Sequence, residues 1–102
     1  MTAQTKVIKV YQKNTVEIVC YVKGLQSLSG YTPYITIKED YDKSIIFEKT
    51  GSVNNTDVVF KIDPSDNDIS PGTYLYEITI TDGTDNYTVI QNKYIVLDSV
   101  KY

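Results

Sequence analysis

Ile69-Ser70-Pro71-Gly72-Thr73-Tyr74-Leu75-Tyr76 is the stretch on which the fold turns. A Pro-Gly corner opens it, and beyond the corner Tyr74, Tyr76, Ile78 and Ile80 alternate with Thr73, Leu75, Glu77 and Thr79. A corner followed by period-two alternation predicts a half-buried strand entered through a tight turn. Gly-x-Tyr at such a corner places a phenol where its hydroxyl is expected to bond back to main chain a few residues upstream.

Outward from that strand the same alternation recurs in short runs separated by Gly, Pro, Asn and Asp clusters, and no segment carries a helical stripe. Strands are predicted over residues 6–11, 15–23, 34–39, 45–49, 57–62, 73–81 and 86–97, with a bulge or bend expected at Gln91-Asn92, where the alternation breaks. Val16, Ile18, Cys20 and Val22 form one face of the second strand, and Glu17, Val19, Tyr21 and Lys23 the other. Ile35 and Ile37, then Val58, Phe60 and Ile62, supply further inward sets. Residues 24–32, 40–44, 51–56 and 63–72 are expected as loops and turns, and 82–85 as a hairpin loop with a positive-φ glycine. The expected fold is all-β, a single immunoglobulin-like β-sandwich of about seven strands over residues 1–102. The two positions that carry the inter-sheet cysteine pair in many such domains fall here on Cys20 and Tyr76, so the core is expected to hold with no disulfide. Burying side chains such as Ile78 or Phe60 stabilises by roughly 1.5 to 3 kcal/mol each, and a dozen of them suffice.

Composition removes several chemistries. The 102 residues include ten lysines and no arginine, no histidine, no tryptophan and one cysteine. Histidine-based nucleophile activation, histidine metal sites and a cysteine zinc cluster are therefore excluded, as is a bidentate arginine clamp on phosphate or guanine. A net charge of −3 and a pI near 4.7 lack the basic footprint of nucleic-acid binding. No stretch approaches the roughly 20 apolar residues of a spanning helix, so neither nucleic acid nor membrane is an expected partner. The chain is expected to be non-enzymatic, to carry no cofactor and to be made in the cytoplasm.

Asp63, Asp66, Asp68 and Ser70, with Glu77 downstream, loosely imitate a calcium loop, but Pro71 stands where the sharp turn needs glycine. Ordinary turn chemistry, with carboxylates capping main-chain amides, is the expected role of that cluster. Cys20, on a core-facing strand position, is expected to be an inert small hydrophobe. Asn54-Asn55-Thr56 and Asn86-Tyr87-Thr88 match glycosylation acceptors but are expected to be loop asparagines.

Ten tyrosines against two phenylalanines form the most suggestive surface signal, because Tyr combines a large rigid contact area with a polar tip. The expected partner-binding residues are Tyr21 and Tyr34, which alternation turns outward, Tyr31 and Tyr41 in loops at opposite ends of the third strand, and Lys38 and Glu39 at the rim. A protein surface ranks above a sugar ring as their partner, since tryptophan, common in carbohydrate platforms, is absent. Tyrosines that merely cover a sheet edge are the alternative.

Ser27-Leu28-Ser29-Gly30-Tyr31-Thr32 followed by Ile35-Thr36-Ile37-Lys38 resembles the corresponding region of small Ig-like domains of tailed-phage virions. Pro71-Gly72-Thr73-Tyr74-Leu75-Tyr76-Glu77-Ile78 with the Asp82-Gly83 hairpin is similar to their later half, and the resemblance spans Val7 to Leu97. Such domains occur as auxiliary or decoration proteins on capsids and as the N-terminal module of upper baseplate proteins. The resemblance implies a non-enzymatic virion structural protein on the capsid surface, docking on the major capsid protein or another virion structural protein and stabilising the shell. Because the chain ends a few residues past its seventh strand, the decoration role is expected ahead of the baseplate one. A carbohydrate-binding module contacting host-surface glycan is the further alternative.

Overall fold

A computed structural model describes residues 2–3, 7–23, 28–39 and 44–98. Among these residues the chain is all-β, with β1 (Thr2–Ala3), β2 (Ile8–Tyr11), β3 (Val16–Lys23), β4 (Thr32–Lys38), β5 (Ile45–Thr50), β6 (Ser52–Asn54), β7 (Asp57–Ile62), β8 (Gly72–Thr81) and β9 (Asn86–Leu97). They form a four-stranded sheet in the order β1-β3-β7-β6 and a five-stranded sheet in the order β2-β9-β8-β4-β5. All neighbours are antiparallel except β2 and β9, which run parallel from Ile8 opposite Tyr94 to Tyr11 opposite Leu97.

The inward faces of the two sheets make one core. Val22, Val58, Phe60 and Ile62 of the four-stranded sheet are buried, as are Ile35, Ile37, Tyr76, Ile78, Ile80 and Tyr94 of the five-stranded sheet. This is the set that period-two alternation marks, since successive side chains point to opposite faces. The single cysteine is free and buried, so no disulfide joins the sheets.

Two expectations are corrected. Residues 51–56, expected as a turn, contain β6, so the chain between β4 and β7 makes two strands. The first, β5, pairs with β4, and the second, β6, pairs with β7 in the opposite sheet. Gly51 stands at the crossing, its N–H donating to Pro33 O at 2.9 Å. A Cβ there would lie 2.6 Å from both Phe60 Cδ1 and Val59 O, so only glycine lets the backbone pass this close to the second sheet. The bulge falls at Val89 rather than at Gln91-Asn92. Ile78 faces Ile90 and Thr79 faces Thr88, leaving Val89 as the extra residue. Two consecutive apolar side chains, Val89 and Ile90, are thereby both buried.

Candidate functional site

The corner that opens β8 is closed as expected. Tyr74 OH donates to Ser70 O at 2.6 Å, four residues upstream. The connection before it is tied down by Asn67, which is fully buried. Asn67 Nδ2 donates to Asn14 O at 2.7 Å, its Oδ1 accepts from Tyr94 OH, and its main-chain oxygen accepts from Lys13 N–H. One asparagine thus links the β2–β3 turn, the β7–β8 connection and β9. Burial, with a smaller contribution from Asp66, pushes the Tyr94 phenol well above its ordinary value.

The carboxylates beside it act as turn residues. Asp66 Oδ2 accepts from Asp63 N–H at 3.0 Å and from Lys49 Nζ at 2.9 Å, and Lys49 also reaches Asp63 Oδ2 at 3.3 Å. Burial raises the Asp66 pKa, but the Lys49 bond, the Asp63 amide and the ammonium charge together outweigh it, and the carboxyl sits below its ordinary value. Lys49 belongs to edge strand β5 and is turned to this inward pairing, a device that discourages edge-to-edge association.

The outward faces of the two sheets differ in character. On the five-stranded sheet, Glu77 accepts from Gln91 Nε2 at 2.7 Å, Thr79 Oγ1 at 3.3 Å and Thr88 Oγ1 at 3.5 Å. On the neighbouring strands, Thr36 Oγ1 donates to Glu48 Oε2 at 2.8 Å. Glu77, Thr79, Thr88, Thr36 and Glu48, with Tyr34, Lys38 and the exposed Ile45, line a shallow depression. On the four-stranded sheet, the register sets Val19 opposite Val59, Glu17 opposite Lys61 and Tyr21 opposite Asp57. Val19 and Tyr21 are 54% and 47% exposed, so two large apolar side chains stand in water beside Val59, rimmed by Glu17, Lys61 and Asp57.

The residues expected to bind a partner are therefore not one cluster. Tyr21 lies on the outward face of the four-stranded sheet, whereas Tyr34 and Lys38 lie on the outward face of the other. Glu39 is exposed just past β4, and Tyr41 falls outside the described residues. Tyr31 precedes β4 at the end where Thr32 pairs with Thr81, beside the 82–85 hairpin. Seven residues at about 3.3 Å each separate it from Lys38 by roughly 23 Å. Sequence reasoning grouped these tyrosines because alternation gives the face of a side chain, not the sheet to which its strand belongs. It passed over Val19 and Val59, although an apolar residue in an otherwise polar outward set was the available signal.

Tyr31 meets Tyr87 with ring centroids 6.4 Å apart and planes tilted by 56°. Cys20 lines a slot of about 190 Å³ between β2 and β3 together with Ile18, Tyr76 and Ile78. Burial, then Asp57, raises its thiol pKa, which disfavours the thiolate.

No family model matches the chain. No curated protein matches it either. In structure it is similar to part of a "putative glycoside hydrolase" from Bacteroides vulgatus, with a TM-score of 0.55 and 14% identity over 92% of this chain. The chain spans only 17% of that protein's length. At this identity the likeness speaks for a shared β-sandwich fold and for nothing catalytic, and 70 solved chains match in the same search, as expected of a fold that hosts many functions.

Proposed function

We propose that this chain is a non-enzymatic Ig-like structural module of a phage virion that docks on a protein partner, the major capsid protein first among them. The observation that carries the docking is the apolar patch of Val19, Tyr21 and Val59, rimmed by charge, on the outward face of the four-stranded sheet. A contiguous apolar patch with a polar rim is the signature of a protein contact. The Ig-like reading is supported by the Tyr74 corner bond and by strand order. In order across the sheets, β1, β3, β7 and β6 correspond to strands A, B, E and D of such domains, and β9, β8 and β4 to G, F and C, with β2 added beside G and β5 beside C. The phage role is supported by the resemblance carried by residues 27–38 and 71–83.

Many copies on one lattice would convert a small patch into firm attachment, because avidity multiplies weak contacts. The test is to mix the purified protein with phage capsids lacking it, pellet the particles and count bound copies against capsid protein. Saturation at a fixed stoichiometry supports the proposal, and a pellet free of the protein overturns it. A second reading, contact with a host-surface glycan, is favoured by the depression on the other sheet, where Tyr34 offers a ring beside Thr36, Glu48 and Glu77. Soluble glycans would then perturb Tyr34.

A further inference from the structure

The end of the sandwich at the 82–85 hairpin combines exposed aromatic surface with negative charge. Tyr87, opposite Ile80 in the register, lies on the inward side of β9 at the mouth of the sandwich and remains 40% exposed. Tyr31 packs against it and against the core, so the Tyr87 ring rests on a core-anchored neighbour. The hairpin is fixed just as firmly. Asp82 Oδ1 accepts from Thr84 N–H at 2.9 Å and from Asp85 N–H at 2.7 Å, Gly83 N–H donates to Thr81 Oγ1 at 3.1 Å, and Gly83 takes the positive φ of 95° that the turn requires.

The carboxylate of Asp85 acts most strongly on the Tyr87 hydroxyl, ahead of burial, Tyr31 and Asp82, and raises its pKa. Thr81 pairs with both Thr32 and Asn86, so the 82–85 hairpin, Tyr31 and Tyr87 are brought together at one end of the sheet and charge and rings share one small region. Among the described residues no ion pair includes Asp82 or Asp85.

We propose that Tyr31, Tyr87, Asp82 and Asp85 form a docking point for a lysine or arginine side chain of a protein partner. An aromatic face attracts a cation through its quadrupole, and carboxylates at its edge complement the same charge. An acidic segment is repelled by both features. Because rings and hairpin are already ordered, little conformational entropy is lost when the basic side chain arrives. The site lies at the mouth of the sandwich rather than on the Val19 and Tyr21 face, and it stands whether or not that face docks on a capsid.

The test is an amide-resolved NMR titration of the whole chain with an acetylated, amidated tetralysine peptide, and in parallel with tetraglutamate. Saturable shifts at Tyr31 and residues 82–87 with tetralysine alone are expected. Tyr87→Ala should weaken binding about two- to fivefold, the range of an exposed cation–π contact, while Tyr87→Phe, which keeps the ring, should retain it. Asp85→Asn should weaken it too, whereas Asp98→Asn, the same charge change at the other end of β9, should not. Should Tyr87→Ala fail to fold, the Phe and Asn variants carry the comparison. Shifts scattered over the acidic surface, or equal weakening by Asp85→Asn and Asp98→Asn, would overturn the proposal.

Discussion

The two outward faces are built by the same alternation from neighbouring stretches of one chain, yet they leave water in different conditions. On the five-stranded sheet the outward residues spend their hydrogen-bonding capacity on each other: Glu77 takes three donors and Glu48 takes Thr36. On the four-stranded sheet the side chains of Val19 and Val59 have no polar group to pair, and the exposed apolar area of Val19 and of the Tyr21 ring is stabilised only when something covers it. The difference teaches that strand-forming residues on an outward face need not serve the fold. One outward face is knit by side-chain hydrogen bonds, whereas the stabilising Asn67 and Tyr74 bonds lie inside and at the corner of the sandwich, and the other outward face leaves Val19 and Tyr21 bare.

Substitutions graded from the bonded interior to the bare face sharpen this contrast. The largest effect is expected from Asn67→Ala, which leaves the Tyr94 hydroxyl and Asn14 carbonyl without partners and should cost about 3 kcal/mol, measured by denaturant unfolding, since each orphaned buried group costs about 1 to 3 kcal/mol.

Raising the pH comes next. Tyr94 has a folded-state pKa above its unfolded value of 10.0, so its contribution is fully present below pH 10.0 and is lost above it. Lys49, raised by its bonds to Asp66 and Asp63, adds to the loss in the same direction. Stability should fall by about 1.4 kcal/mol per pH unit above that point for the one proton involved at Tyr94, and a flat profile between pH 9 and 11 would break the assignment.

Tyr74→Phe removes only the corner bond to Ser70 and should cost about 1 kcal/mol, lowering the melting temperature while leaving docking intact. The smallest effect on stability, within about 0.5 kcal/mol, is expected from Val19→Ser and Tyr21→Ser, because surface positions outside such networks contribute little. A large destabilisation by either would erase the distinction between the faces.

Much of this architecture is legible in the chain. The inward sets of β3, β4, β7 and β8 follow from alternation, and the Tyr74 bond follows from the Gly-x-Tyr corner. Partnership of strands is less legible, because period two gives the side of a residue but not its neighbour. The close approach at Gly51 marks one of the places where the chain changes sheet, between β5 and β6. The Val89 bulge was hidden because Gln91-Asn92 breaks polarity more visibly than the adjacent Val89-Ile90 pair breaks phase. Asn67 sits in an Asp-Pro-Ser-Asp-Asn-Asp run whose composition speaks only of a turn, and nothing local distinguishes its buried amide from its solvated neighbours. The tyrosines are the least legible. They are good strand residues as well as good contact residues, so their number alone does not separate Tyr94, fully buried and bonded, from Tyr21, exposed on an outward face.

The central claim, that the bare face is the docking face, is tested most directly by particle pelleting with one variant from each sheet. Val19→Ser combined with Tyr21→Ser is expected to abolish saturable binding to capsids lacking the protein, while Tyr34→Ser on the bonded face leaves the bound stoichiometry unchanged. Undiminished binding of the double variant, or loss with Tyr34→Ser alone, would contradict the account.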